Sequence, residues 1–313
     1  MYEVRFHGRG GQGTVTAAEL LSAAAFSEGK YAQAFPSFGS ERTGAPVMSF
    51  CRIDDRPIRS REPVARPDAL VIQDPTLLHQ VSVFDGAQAS SCVLINSARP
   101  VAELGIGEFT GKLRPGAVVA VPATELALKH LGKPVPSAAL LGGFAALTGL
   151  VTLDSVIAAI AARFIARPEI VEGNSRAARA AYAHVTDRLA ELGIRGPAVP
   201  RNAERLAQTT ASPAGVSSGG SRIAQIEGSA GVAATVARCR PEVICAYPIS
   251  PQTHIVEALS REVKSGRLAP CEFINVESEF VATSVAIGAA AARARAYTAT
   301  ASHGLLYPRP SPR

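Results

Sequence analysis

YEVRFHGRGGQGTVTAAELLSAAAF, residues 2–26, decides how the fold is read. Val4, Phe6 and their neighbours form a short extended run. Gly8, Gly10, Gly11 and Gly13 then put four glycines within six residues, and an Ala/Leu-rich helix follows. Glycine permits backbone angles and close approaches that side chains forbid. A strand, a glycine turn and a helix in succession deliver free helix N-terminal N–H groups above the strand's carboxyl end. Gly8, Gly10 and Gly13 also satisfy the spacing G-x-G-x-x-G of dinucleotide-binding turns. No acidic residue closes a second strand about twenty residues on, as that fingerprint requires. A tight strand-to-helix turn holding no ligand fits these residues equally well.

Working outward, 313 residues correspond to about two domains. At 47% hydrophobic residues the chain can bury sizeable cores. No uninterrupted apolar run reaches bilayer-spanning length, which excludes a membrane helix. The N-terminus opens directly on a strand without a signal-peptide pattern, so a cytoplasmic protein is expected. Cys51, Cys92, Cys239, Cys245 and Cys271 contain no C-x-x-C pair. They read as small buried hydrophobes, and neither as a disulfide framework nor as ligands of zinc or an iron–sulfur cluster. The net charge of +6 does not imply nucleic acid, because only five of the 32 basic residues are lysine and the arginines are scattered among alanines.

In chain order, short strands are expected at residues 30–35, 47–53, 69–73, 92–96 and 118–121, the later ones as apolar runs bounded by turn formers. Residues 36–46, PSFGSERTGAP, form a polar surface loop of the kind that carries function. Residues 75–84 fit a helix capped by Asp74 with Pro75 at its first position. Helices are expected over 124–131, 137–147, 154–165 and 168–192. Strands feeding helices in this way argue for a doubly wound, mostly parallel sheet flanked by helices and finished by a helical tail.

Residues 193–220 carry Pro197, Pro200, Pro213 and a Ser/Gly cluster, and read as a linker. A second series follows, with helices expected at 222–238, 253–264 and 278–293 and strands at 243–247, 272–276 and 296–300. Ser302 and His303 adjoin each other without a positioned acid, which gives no hydrolase triad.

The wording of several segments goes beyond generic α/β. HGRGGQG at residues 7–13, FPSFGSERTGAPV at 35–47, LLGGFAALTGL at 140–150 and EIVEGNSRAARAAY at 169–182 resemble, in this order, the gamma subunit of the 2-oxoacid:ferredoxin oxidoreductases. That family includes pyruvate:ferredoxin oxidoreductase. AYPISPQT at 246–253 and NVESEFVATSVAIGAAAARARAYTATASHGL at 275–305 resemble the beginning of its alpha subunit. The resemblance implies a gamma-type domain over 1–192, the linker 193–220, a partial thiamine pyrimidine-type α/β domain over 221–307, and a tail, 308–313, outside the family pattern.

A family role can be carried to four places. Glu279, with Glu277 as its rival, matches the carboxylate placed against the pyrimidine nitrogen of thiamine diphosphate, where it favours the imino tautomer that removes the thiazolium C2 proton. Gly288 follows Glu279 at the family's spacing. Both acids otherwise suit a helix N-terminus electrostatically. Ser250, where the family more often has Thr, matches the loop that meets the 2-oxoacid carboxylate; capping of the next helix is the other reading. Gly8, Gly10, Gly11 and Gly13, with Ser40, Glu41 and Arg42, would shape a subunit interface or the approach of coenzyme A.

The resemblance further implies oxidative decarboxylation of pyruvate or a related 2-oxoacid to acyl-CoA with electrons to ferredoxin. Thiamine diphosphate would be shared with a diphosphate-binding beta subunit. Magnesium and iron–sulfur clusters would reside on partner subunits only, the clusters on a ferredoxin-like delta subunit, and this chain would hold no metal. Pro308, Pro310 and Pro312 stand where the family continues with a helix, so a gamma–alpha fusion cut short, inactive without the remaining alpha chain, is expected. Two other readings stand beside it: a freestanding Rossmann-like nucleotide-binding module, and a non-catalytic assembly subunit or truncated product.

Overall fold

The computed structural model describes residues 1–37, 44–60, 62–194, 225–249 and 252–300. The chain divides into two units, Met1–Ser221 and Arg222–Arg313.

In the first unit β1 (Tyr2–Arg9) runs into α1 (Thr14–Ser27), and then come β2 (Tyr31–Pro36), β3 (Pro46–Asp54), β4 (Ala69–Ile72), β5 (Cys92–Asn96) and β6 (Val118–Val121). The sheet order is β2-β3-β1-β4-β5-β6. β1, β4, β5 and β6 are mutually parallel, while β3 is antiparallel to both β1 and β2. The mostly parallel sheet is as expected. The inserted antiparallel strand is not, and it means that α1 crosses over β3 to reach an edge strand instead of a neighbour of β1.

Strand alternation gives the two faces different tasks. Tyr2, Val4 and Phe6, with Cys51, Ile53, Ala69, Val71 and Leu94, point into one core. Over that core lie α1, α3 (Ala123–Leu131), α4 (Ser137–Thr148), α5 (Leu153–Arg163) and α6 (Pro168–Glu191). Every residue of α4 is buried, which is why it is apolar all round and shows no single hydrophobic stripe. Gly142 is required there, since a Cβ would come within 2.0 Å of the Ala178 carbonyl oxygen on α6.

The opposite face covers Leu70, Ile72, Val93 and Ile95 with short segments instead of helices. Of the helix expected over 75–84, only a 3-10 turn, Pro75–His79, forms, with Asp74 accepting from Thr76 N as its cap. Farther along, the Val83 and Asp85 carbonyl oxygens accept from Arg5 Nη2 at 3.0 and 2.5 Å, so they serve a buried side chain instead of a helical ladder. α2 (Gly107–Thr110) is a single turn. Among the described residues the helical layer therefore covers one face, and the sheet is not doubly wound.

The second unit contains α7 (Gly228–Arg238), β7 (Val243–Ala246), α8 (Thr253–Lys264), β8 (Glu272–Asn275), α9 (Glu279–Ala291) and β9 (Ala296–Tyr297). Its sheet, β8-β7-β9, is wholly parallel. The core is small: Ala233, Ile244, Leu259 and Leu268 are its buried members. α9 buries only Ala282, and it leaves Phe280 and Ile287 more than half exposed. α7 begins later than expected, at Gly228, because Glu227 is extended at its N-cap.

Candidate functional site

Two turns at strand ends and one cavity compose the candidate sites. The first turn follows β1. Gly13 is the left-handed N-cap of α1 (φ 76°) and no side chain caps this helix. The four glycines have different duties. A Cβ at Gly8 would stand 2.3 Å from Thr14 Oγ1, and one at Gly13 would stand 2.7 Å from Ser137 Oγ. Gly11 (φ +92°) faces open space. Gly10 N–H donates to the Ala45 carbonyl at 3.0 Å, tying the turn to the end of the polar loop.

Side chains from distant segments brace this turn. Ser137, which opens α4, places Oγ 3.1 and 3.0 Å from the Gln12 and Gly13 carbonyl oxygens. Thr14 Oγ1 donates to Gln73 Oε1 at 2.7 Å. Gln12 Nε2 donates to Asp74 at 2.8 Å, and its Oε1 accepts from Arg9 N at 2.8 Å. Arg9 donates to Asp74 (3.0 Å), Thr76 (2.8 Å), Gln80 (2.6 Å) and the Gly44 carbonyl (3.0 Å). Burial alone would raise the Asp74 carboxyl; the hydrogen bonds from Thr76 and Gln12 and the charge of Arg9 outweigh this and hold it below its ordinary range. Sequence reading missed Arg9, Gln12, Gln73, Asp74 and Ser137 as a unit, because they meet only through the fold.

On the outer face of β1, Arg5 and His7 line a cavity of about 560 Å³ together with Met48, Leu77, Val81 and Asp85. Arg5 is 6% exposed and spends its terminal nitrogens on the carbonyl oxygens of Val64, Val83 and Asp85. Burial, and next the Arg5 charge, hold His7 down to about 3, so the imidazole is neutral. Period-two alternation with Val4 and Phe6 was the sequence signal that could have placed both side chains on this face.

In the second unit the turn follows β8. Ser278 is the N-cap of α9, accepting from Val281 N at 3.3 Å, and Glu279 is the first helical residue. Glu279 is half-buried and, among the described residues, its carboxylate has no hydrogen-bond partner, whereas Glu277 is exposed in the preceding turn. A carboxylate on the first turn of a capped helix and not committed to a neighbour fits the hydrogen bond that a thiamine pyrimidine ring would offer. Gly288 fits as well: no atom lies within 4 Å of where its Cβ would stand, so nothing in the described unit demands glycine there. Ser40, Glu41, Arg42 and Ser250 lie outside the described residues. Among the described residues no group of His, Cys, Asp and Glu is placed to hold a metal ion, and no helix is long and apolar enough to cross a membrane.

By fold and site the chain is an α/β protein of two units, each offering a strand-to-helix turn. Residues 3–184 match the protein family described as pyruvate ferredoxin/flavodoxin oxidoreductase, and residues 234–311 match the thiamine-diphosphate-binding region described for the same oxidoreductases. The chain belongs to the pyruvate ferredoxin/flavodoxin oxidoreductase family. The pyruvate synthase subunit PorC of Methanothermobacter marburgensis is 48% identical over 182 residues, 58% of this chain and 96% of that protein. The common subunit gamma of the pyruvate/ketoisovalerate oxidoreductases of Pyrococcus furiosus is 48% identical over the same shares. Among solved structures, the pyruvate oxidoreductase subunit PORC of Thermotoga maritima is similar at a TM-score of 0.51 and 33% identity, covering 58% of this chain and 95% of that one. The 2-oxoglutarate:ferredoxin oxidoreductase of Magnetococcus marinus shares the fold at a TM-score of 0.59 and 16% identity, over 97% of this chain and 48% of that one.

Proposed function

We propose that this chain is a gamma–alpha component of a complex that oxidatively decarboxylates pyruvate or a related 2-oxoacid to an acyl-CoA, with electrons passed to ferredoxin. The observation that carries this reading is the succession, along one chain, of segments matching two different parts of one enzyme family. Residues 1–192 act as the gamma-type lobe, 193–220 as the linker and 221–307 as the pyrimidine-binding lobe.

Thiamine diphosphate, when bound, would supply the carbon nucleophile and the electron sink that decarboxylation of a 2-oxoacid needs. Glu279 is the residue of this chain assigned to it. Its carboxylate accepts a hydrogen bond from the pyrimidine ring and fixes which ring nitrogen carries the proton. The first turn of α9 holds that carboxylate in place through the Ser278 cap. Ser250 donates to the substrate carboxylate. The glycine turn of the first unit, open at Gly11 and closed at Gly8 and Gly13, shapes a subunit interface or the approach of coenzyme A together with Ser40, Glu41 and Arg42. The diphosphate and magnesium are held by a beta-type subunit with further alpha-type sequence. Clusters on a ferredoxin-like delta subunit carry the electrons, in the cytoplasm.

The nucleotide-module reading is disfavoured by the topology, because β3 lies antiparallel beside β1 where a dinucleotide fold has a parallel strand. Purified alone, the chain is expected to show no 2-oxoacid-dependent dye reduction, and co-expressed beta- and delta-type subunits are expected to restore it. Turnover by the isolated chain overturns the reading, as does tight NAD or FAD binding at the glycine turn.

A further inference from the structure

We propose that the cavity on the outer face of β1 binds a small organic anion, a carboxylate head on an apolar body of a few carbons. None of Gly8, Gly10, Gly11 and Gly13 lines this cavity. Arg5 is almost fully buried, yet it forms no ion pair among the described residues. Its terminal nitrogens are taken by three backbone carbonyl oxygens and its Nε has no partner. Carbonyl dipoles solvate a guanidinium without neutralising it, and buried charges are ordinarily paired. His7 beside it is neutral, and its Nε2 is also without a partner, so the wall carries one positive charge whose opposite in the lining is the exposed Asp85 carboxylate, which acts on Arg5 electrostatically without forming an ion pair with it.

The cavity adjoining this wall, about 560 Å³, falls in the range of small-molecule sites. Met48, Leu77 and Val81 supply an apolar lining suited to a hydrocarbon body. The lining carboxylate, Asp85, is exposed, where water screens it. Arg5 takes the backbone oxygen of that residue. An anion seated against Arg5 and His7 therefore gains a close counter-charge interaction that the exposed Asp85 supplies only in part, while a neutral molecule of the same shape does not.

The test uses the full chain titrated with hexanoate, hexanamide and inorganic phosphate, read by calorimetry and by the ring resonances of His7. Met48→Trp and Val81→Trp fill the cavity from positions that are each more than a third exposed, so both variants are expected to fold. Hexanoate is expected to saturate and to bind about tenfold or more tightly than hexanamide or phosphate, and each tryptophan is expected to weaken it about tenfold or more. Equal binding of the amide, equal binding of phosphate, absence of saturation, or unaltered hexanoate binding in both folded variants overturns the assignment. The wild-type ligand comparison decides the matter should a variant fail to fold. None of these readouts depends on oxoacid turnover, so the proposal and the family role can fail independently.

Discussion

His7 sits 3% exposed beside the Arg5 guanidinium, on a sheet face that the sequence presents only as every second residue of a strand. Its folded value of about 3 lies below the ordinary 6.5, so between those limits the unfolded chain binds a proton that the folded chain refuses. Stability is unaffected above the upper limit and falls as pH drops through the window, by about 3 kcal/mol on reaching pH 4. The variant His7→Asn is expected to flatten this part of the curve. Denaturant unfolding of both proteins from pH 7 to 4 checks it, and parallel curves contradict it. Asp74, whose carboxyl is held low, loses its contribution only nearer its own depressed value, and does so equally in both proteins.

The glycine turn shows what a motif conceals. Its spacing was legible in residues 7–13, yet sequence treats the four glycines alike, and only the fold reveals that Gly8 is pressed against Thr14 and Gln73 while Gly11 faces open space. Gly8→Ala is expected to cost about 2–3 kcal/mol, through a displaced Thr14–Gln73 hydrogen bond and a shifted turn. Thermal or denaturant unfolding measures the loss, and a cost under about 0.5 kcal/mol contradicts the packing described.

At the scale of elements, β4 and β5 were readable as short apolar runs because both their faces are buried, and the helices from α3 to α6 because their residues serve the main core, so that local pattern and tertiary demand agree. Residues 75–84 were not. Their pattern suits a helix, but Arg5, 78 and 80 residues earlier in the sequence, recruits the Val83 and Asp85 carbonyl oxygens. The bracing of the glycine turn by Gln73 and Ser137 was hidden for the same reason, since no local pattern announces a partner that many residues away. Capping was legible at Asp74, which accepts from the Thr76 N–H, whereas Ser278, read as the first residue of its helix, is the N-cap of α9.

α9 offers a test of its own. Gly288 stands inside this helix with open space at its Cβ position, so Gly288→Ala removes only a conformational cost. In the isolated chain the variant is expected to gain about 0.5–1 kcal/mol of stability in the second unit. In the assembled complex the same methyl group is expected to lower turnover by crowding the cofactor side. A variant that stabilises the chain and leaves the complex fully active removes the functional reason for the glycine. The Gly142→Ala change in α4 goes the other way, because the Ala178 carbonyl oxygen already occupies the space.

For the molecule as a whole, the two units differ in how much they bury. The first has a core drawn from five helices and the sheet, plus a second cluster on the opposite face. Among the described residues the second has one cluster of four buried members and an apolar helix with one buried residue. Amide exchange in β1, β4, β5 and α4 is expected to be slow and global, while β8 and α9 exchange at least about a hundredfold faster through local opening. Equal protection of the two units contradicts this.

The proposed joining of a gamma lobe to a lobe whose Glu279 carboxylate meets the thiamine pyrimidine is tested most directly by replacing that carboxylate. With the chain co-purified in its partner complex, 2-oxoacid- and CoA-dependent reduction of a viologen dye is measured for the wild type and for Glu279→Gln. The variant complex is expected to assemble normally and to lose activity by about a hundredfold or more, since glutamine cannot serve as the charged acceptor. A Glu279→Gln complex that turns over at the wild-type rate contradicts the assignment.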